Sequence, residues 1–271
     1  MSWRQTVVGL TAVALVACYA PTLRGMFEQW LNDEDMSHGF LVPIVMLWIV
    51  WRERARRRGL ETDPNWWGFA ILTAAAGLQF AGLLGAGLFA GSVALLVSVA
   101  GSVLCLGGLA WLRVLAFPLV LAIFMLPKLA VVYNQATLPL QLLASRIAAG
   151  ILTFGGIGVI REGNILAVSG HRVAVVEACN GIRYLLPLSF MAVVFAYVSD
   201  SKPWMRLVLL AAAVPIAILA NAVRVAAAGW VPALEGGVPH AVCGLFIFVL
   251  CVATLMLFRQ LFNKVYVRYQ S

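Results

Sequence analysis

The chain has 271 residues, of which 63% are hydrophobic and only 11% charged, and its mean hydropathy is +0.96. Soluble domains carry about 25% charged residues, so this composition excludes a soluble protein and predicts one integral membrane domain over 1–271. The net charge of +8 does not require a nucleic-acid partner, because cytoplasmic loops of membrane proteins are ordinarily rich in arginine and lysine.

The apolar runs predict an all-α polytopic fold. The first run ends in L-V-A-C at 15–18 and resembles a signal peptide, but its weakly basic start favours an uncleaved first transmembrane helix. A transmembrane helix needs about 20 apolar residues. We therefore expect about eight transmembrane helices, at 5–23, 39–51, 66–84, 87–111, 114–132, 182–198, 207–230 and 240–258.

Segment 128–160 differs in composition from the eight predicted spans. It is moderately apolar but contains Lys128, Gln141 and Arg146, a pattern that favours an interfacial or partly buried helix. After it, two short runs at 164–168 and 172–176 flank Ser169-Gly170 and predict a small extracytoplasmic β-hairpin.

The loop charges predict the orientation. Loop 52–58 carries five arginines, whereas loop 24–38 carries four acidic residues and one arginine. Further basic residues lie in 199–206 and 259–271. Positively charged loops tend to remain in the cytoplasm, so we expect both termini there. A membrane crossing by 128–160 would invert the later helices, against their own loop charges.

This topology brings unusual polar residues to the outer ends of several helices. Each has a simpler explanation: Arg224 could snorkel to the outer headgroups, His240 could be an ordinary interfacial residue, and His38 could be the neighbour of a helix cap formed by Ser37. The residues in question are His38, Glu177, Cys179, Arg183, Asn221, Arg224 and His240.

Cys179 has the strongest physical case for reactivity. If the sixth helix begins near Cys179, its thiol lies at the positive end of the helix and Arg183 lies at i+4, and both favour the thiolate. Glu177 would oppose this or hold an arginine in place. With His240 to protonate a leaving group and Arg224 to stabilise an oxyanion, these residues indicate acyl transfer at the membrane–water boundary.

Other functions fit parts of the same pattern. A metal site formed by His38, Cys179, His240 and Cys243 has poor ligand spacing, so we expect no metal and no cofactor. Arg183 and Arg224 could instead bind an anion in a transporter or in a protein that handles lipid-linked sugars during polysaccharide export. A non-catalytic assembly scaffold is the third alternative.

Three motifs resemble those of the exosortase/archaeosortase family, polytopic membrane proteins regarded as cysteine transpeptidases. They are E-A-C-N-G-I-R at 177–183, A-N-A-V-R-V at 220–225 and H-A-V-C-G-L-F-I-F at 240–248, and M-S-H-G-F-L-V-P at 36–43 also fits. The sequence departs from the usual pattern at Asn180, where serine is usual, and at Met36, where an aromatic residue is common.

The resemblance implies that Cys179 is the nucleophile, that Arg224 and His240 complete the site, and that Arg183 and His38 are accessory. It further implies exported protein substrates with a C-terminal signal: a motif such as Pro-Glu-Pro, a transmembrane helix and a basic tail. The enzyme would form a thioester on Cys179 and pass the acyl group to an unknown acceptor. It would lie among the lipids of a bacterial inner membrane, with its site facing the periplasm.

Overall fold

The computed structural model describes residues 3–168, 171–175, 181–199 and 203–270. Within these ranges the chain forms ten α-helices and three β-strands, joined by short 3-10 turns and one π-helical turn. The helices are α1 (Trp3–Cys18), α2 (Ala20–Asn32), α3 (Leu41–Arg52), α4 (Arg54–Arg57), α5 (Trp67–Ala81), α6 (Gly87–Leu121), α7 (Ala130–Phe154), α8 (Ile182–Ser199), α9 (Pro203–Trp230) and α10 (Gly237–Gln270). The strands are β1 (Val159–Glu162), β2 (Ile165–Val168) and β3 (His171–Ala174).

The helices have the lengths of a multi-pass membrane protein. In the described ranges, six helical segments are long and apolar enough to cross a membrane, and the pair α1–α2, bent by 67°, makes a seventh if it counts as one span. The fold is mostly helical, as predicted, while the count of eight spans remains a prediction. The six segments are Trp67–Gly85, Gly87–Met125, Ala130–Phe154, Ile182–Ser199, Trp204–Trp230 and Gly237–Lys264.

The chain divides into two compact units, Met1–Leu129 and Ala130–Ser271. In the first unit, α5 and α6 approach closely through glycines. A Cβ atom on Gly68 would lie 2.6 Å from the backbone nitrogen of Cys105, so only glycine permits this contact. Small residues that let backbones approach are a common basis of helix association in membranes.

Gly108 interrupts α6. The helix spans 35 residues, about 52 Å if straight, which exceeds the roughly 30 Å of a hydrocarbon core. Gly108 has a φ of 82°, and a Cβ there would lie 2.0 Å from the carbonyl oxygen of Asp63. The predicted boundary between the fourth and fifth spans, at 112–113, therefore lies close to a break that only glycine can make.

In the second unit, α8, α9 and α10 share one apolar core. Its largest members include Leu188 on α8, Met205 and Leu209 on α9, and Leu255 on α10, all at most 1% exposed. Cys243 is partly buried and packs against this cluster, as a thiol that acts as a small hydrophobe does. This packing holds together the three helices that carry Arg183, Arg224 and His240.

A second core joins α7 to α9 and the sheet. Ala148 and Leu152 of α7 pack with Leu166 and Val168 of β2, and Val225 of α9 completes the cluster. Of the polar residues of α7 that favoured an interfacial helix, Gln141 is buried and Arg146 is exposed. Thr137 and Ser145 of α7 are also buried. Since α7 is long and apolar enough to cross a membrane, its polarity alone does not assign it to the interface.

The sheet contains the predicted hairpin and one further strand. β2 pairs antiparallel with β3, with Val168 opposite His171, so the predicted strands 164–168 and 172–176 are confirmed within a residue or two. The strand order is β1-β2-β3. Sequence analysis missed β1, which joins β2 through the two-residue turn Gly163-Asn164. Gly163 has a φ of 64°, as this class of turn requires.

Candidate functional site

Arg224 is buried inside the second unit. It lies one helical turn after Asn221 on α9, and the two side chains are 3% and 1% exposed. Its Nε and Nη1 atoms are inaccessible to solvent and have no hydrogen-bond partner among the described residues. The alternative in which Arg224 snorkels to the headgroups is therefore wrong, because the guanidinium group points into the protein.

The remaining guanidinium nitrogen of Arg224 bonds His240. His240 lies in the first turn of α10, as predicted, and its Nε2 contacts Arg224 Nη2. Its Nδ1 lies 2.7 Å from the carbonyl oxygen of Leu234, in the 3-10 turn that precedes α10. A carbonyl only accepts and a guanidinium only donates. The two bonds therefore assign a neutral imidazole with its proton on Nδ1 and its lone pair on Nε2.

The start of α8 agrees with the predicted span 182–198. α8 begins at Ile182, and Gly181 before it has a φ of 86°, outside the helical range. The helical i,i+4 spacing predicted for Cys179 and Arg183 is therefore wrong, since the helix begins after the cysteine. Arg183 is the second residue of α8 and is partly buried. Cys179 and Glu177 lie outside the described residues.

The chain makes specific contacts on both sides of 176–180, the interval outside the described residues that contains Cys179. Before it, Val175 is fixed to the β1–β2 turn, because its backbone nitrogen donates to Asn164 O at 2.8 Å and Asn164 Nδ2 donates to Val175 O at 3.2 Å. After it, a Cβ on Gly181 would lie 3.4 Å from the side chain of Asn221. The chain thus resumes against the face of α9 that carries Asn221 and Arg224.

Two further residues adjoin Arg224 that sequence analysis did not identify. The ring of Tyr184 lies under the guanidinium group, with 5.4 Å between its centroid and Arg224 Cζ. Gly244 lies one turn after His240 on α10 and adjoins both Tyr184 and Arg224. A Cβ there would lie 3.1 Å from the Tyr184 hydroxyl and 3.8 Å from Arg224 Nε. A tyrosine at the start of an apolar helix was a visible signal, whereas the Leu234 carbonyl has no side-chain signature.

His38 lies in the first unit, in a hydrogen-bonded turn before α3. Its Nδ1 is 3.1 Å from Asp35 O, and its side chain is buried. Burial lowers the pKa of His38, an effect that the nearby Asp35 opposes only in part. Ser37 does not cap a helix, since its hydroxyl donates to Glu34 O, so that alternative for His38 is wrong. The accessory role of His38 stays a prediction.

Lys128 ties this turn to the end of the first unit. Its Nζ lies 2.7 Å from Asp33 Oδ2 and 2.8 Å from Asp35 Oδ2. Burial would lower the pKa of Lys128, but hydrogen bonds and attraction from the two carboxylates outweigh it and raise the pKa. The loop between α2 and α3 and the end of the helix that follows Gly108 thus lie side by side.

The described residues contain no group of three or more histidine, cysteine or acidic side chains arranged to hold a metal ion. Of the four residues considered as metal ligands, Cys179 lies outside this description.

The comparisons with known proteins give one match. No curated protein and no solved structure matches the chain significantly. The family model described as transmembrane exosortase matches residues 30–257, which is most of the chain and includes Cys179, Arg224 and His240. The chain therefore belongs to the transmembrane exosortase family.

Proposed function

We propose that the chain is a membrane-embedded cysteine protease and transpeptidase that cleaves C-terminal sorting signals from exported proteins. Its family is one of cysteine-type membrane proteases and transpeptidases. The observation that carries the residue assignment is the buried Arg224 bonded to a neutral His240. Arg224 lies one turn after Asn221 on α9, and Gly181, two residues after Cys179, packs against Asn221.

The tautomer of His240 defines its part in the reaction. Its Nε2 has a lone pair, so it first accepts the thiol proton of Cys179 as Arg224 Nη2 releases it. The resulting thiolate attacks the peptide carbonyl, a C–S bond forms, and the π electrons move onto the carbonyl oxygen. Arg224 stabilises that oxyanion with its positive charge and its N–H groups. Leu234 O keeps the imidazole oriented throughout.

Collapse of this intermediate returns the proton. The C–N bond breaks, His240 donates its Nε2 proton to the departing amine, and a thioester remains on Cys179. An acceptor nucleophile, water or another group, then attacks the thioester carbonyl and gives its proton to His240 Nε2. The C–S bond breaks, the acyl chain leaves on the acceptor, and the proton returns from His240 to the Cys179 sulfur. Arg183, Asn221, Glu177 and His38 are assigned supporting roles. No cofactor takes part in this scheme.

The substrate assignment follows the family resemblance. We assign a short motif such as Pro-Glu-Pro, a transmembrane helix and a basic cytoplasmic tail, which would hold the scissile bond just outside a bacterial inner membrane. The site then faces the periplasm and both termini lie in the cytoplasm. The basic loops at 52–58 and 259–271 support this orientation.

Cleavage by the purified protein with a signal-bearing exported protein tests the assignment. Cys179→Ala is expected to abolish cleavage and thioester formation, because no other residue in the scheme supplies the nucleophile. Cys18→Ala removes an exposed thiol on α1 and is the matched control, expected to cleave normally. Undiminished cleavage by Cys179→Ala would overturn the proposed function.

One observation favours a second function. Within the described part of the chain, Nε and Nη1 of Arg224 are buried and have no hydrogen-bond partner, as in an anion-binding site of a transporter or a lipid-linked-sugar handling protein. The two functions differ in their dependence on the thiol. An anion site should tolerate Cys179→Ser and fail with Arg224→Ala, whereas a thiol enzyme should fail with both.

A further inference from the structure

Tyr184 carries a buried hydroxyl group that nothing in the described chain satisfies. It is the third residue of α8, its side chain is 4% exposed, and its hydroxyl oxygen has no hydrogen-bond partner. Buried tyrosine hydroxyls normally find a partner, and each exception calls for an explanation such as a catalytic role. Packing alone would be served equally well by phenylalanine.

The Tyr184 hydroxyl and Arg224 Nε, neither of which has a hydrogen-bond partner among the described residues, lie close to the same point. The Tyr184 hydroxyl and Arg224 Nε lie 3.1 and 3.8 Å from the same point, where a Cβ of residue 244 would begin. Gly244 has no side chain to separate them. His240 precedes Gly244 by four residues, so it lies on the same face of α10 one turn earlier. Two donors that have no partner among the described residues, the Tyr184 hydroxyl and Arg224 Nε, therefore lie beside the same space one helical turn from His240.

The chemistry of this donor set selects its ligand. Arg224 Nε and Nη1 can only donate, and a phenol beside a guanidinium group donates most favourably to an acceptor that also attracts the cation. An oxygen carrying developing negative charge meets both requirements. Donors fixed in a water-excluded environment before the charge appears are those that stabilise a transition state most effectively.

We propose that Tyr184 is a further catalytic residue, whose hydroxyl donates a hydrogen bond, together with Arg224, to the oxyanion formed when Cys179 attacks the substrate carbonyl. This inference rests on the proposed function. Tyr184 keeps its proton throughout: the thiol proton goes to His240 Nε2, and the hydroxyl only shares its hydrogen with the carbonyl oxygen. Because these donors are buried, substrate entry must open a path to them beside Gly244.

Tyr184→Phe tests the hydroxyl alone, since the ring under Arg224 is retained. It is expected to lower kcat for cleavage about 100- to 1,000-fold with little change in KM, as loss of one oxyanion donor does. Tyr197→Phe is the matched control. Tyr197 lies on the same helix with its ring 5.5 Å from an arginine, Arg206, and this variant is expected to cleave normally.

Two measurements separate catalysis from structure. The rate at which iodoacetamide alkylates Cys179 requires no oxyanion and should not change in Tyr184→Phe. A peptide aldehyde, which forms a hemithioacetal with the thiol, should lose at least 10-fold in affinity to this variant, while the corresponding alcohol should lose nothing. Equal losses for both ligands would show that Tyr184 acts only on ground-state binding and would overturn the proposal.

A second variant guards against misfolding of the first. Gly244→Ala keeps both donors but displaces the hydroxyl, because its Cβ would lie only 3.1 Å from that oxygen. It should also weaken the aldehyde selectively. Cleavage within twofold of the unmodified protein in Tyr184→Phe overturns the role of Tyr184 and leaves the proposed function intact. Cleavage by Cys179→Ala overturns the proposed function itself.

Discussion

A buried arginine in a membrane protein is costly unless its charge and its donors are matched. Of the three guanidinium nitrogens of Arg224, only Nη2 has a hydrogen-bond partner among the described residues. That partner is the neutral ring of His240 rather than a carboxylate. The cationic charge is thus left without an anion among its described contacts. An arrangement of this kind sacrifices stability in the resting protein and gains affinity for a negative charge that appears during reaction.

The geometry of the guanidinium group matters as well as its charge, which Arg224→Lys tests. Lysine keeps the positive charge but cannot bond His240 and present two further N–H groups in a plane. We expect cleavage to fall about 100-fold or more. Arg146→Lys, an exposed position on α7, is the control. Cleavage within threefold of the unmodified protein by Arg224→Lys would show that charge alone suffices.

His38 makes the stability of the first unit depend on pH. Its pKa is about 6.5 in an unfolded chain and is lower in the folded protein because the ring is buried. Below pH 6.5 the unfolded chain binds the extra proton first, so stability decreases as the pH falls through this value.

We therefore expect the thermal transition in detergent to fall more steeply between pH 7 and pH 5 in the unmodified protein than in His38→Gln. A difference of about 2–4 °C corresponds to roughly 1 kcal/mol. His171→Gln removes a histidine elsewhere and serves as the control. Parallel pH profiles for His38→Gln and the unmodified protein would contradict the burial argument.

At the scale of elements, the break in α6 depends on one glycine. Gly108→Ala places a Cβ 2.0 Å from the Asp63 carbonyl at a φ of 82°, and it combines backbone strain with a steric clash. We expect the first unit to lose about 2–4 kcal/mol of stability. In Gly77→Ala, on α5, the new methyl group meets nothing within 4 Å, so this control should be neutral or stabilising. A similar thermal transition in both variants would show that the break is not required.

The strands and helix α7 show which features of the fold a local sequence pattern predicts and which it does not. The β2–β3 hairpin was predictable from alternating residues around Ser169-Gly170. β1 was missed although Gly163-Asn164 is a recognised hairpin turn, because Arg161 and Glu162 disguise its alternation. The interfacial position of α7 stays a prediction, because its polar residues differ: Gln141 is buried and Arg146 is exposed, and burial between elements is a tertiary fact that no local window contains.

Two residues of the candidate site, Arg224 and His240, were predictable from the sequence alone. Arg224 and His240 stand out because charged or polar side chains are rare in apolar runs, and the structure brings them into contact. The Leu234 carbonyl and the space beside Gly244 could not be predicted, since a backbone oxygen and a missing side chain become informative only when other elements pack around them. The helix at 182–198 was predictable from its apolar run, whereas the positive φ of Gly181, which removes the helical spacing of Cys179 and Arg183, was not.

At the scale of the whole molecule, α7 determines the side of the membrane on which the proposed site lies. In the first unit, Gly108 lies against Asp63 beyond the arginine-rich loop, and Lys128 lies against Asp33. These contacts fit a chain that crosses from Gly87 to the arginine-rich side, turns at Gly108 and returns to the side of Asp33. On this arrangement, α7 would begin on the side opposite to loop 52–58.

The side of the membrane on which segment 231–239 lies then follows from the number of crossings after the start of α7. If α7 lies along the interface, α8 and α9 cross in turn and the segment 231–239 lies opposite to loop 52–58, as the loop charges predict. If α7 crosses, 231–239 lies on the same side as that loop. In intact cells, a membrane-impermeant maleimide is expected to label a cysteine in Glu235→Cys and to label one in Ala55→Cys only after permeabilisation. The parent protein, with its five native cysteines, gives the background. Labelling of both positions only after permeabilisation would mean that α7 crosses the membrane and that Arg224 and His240 face the cytoplasm.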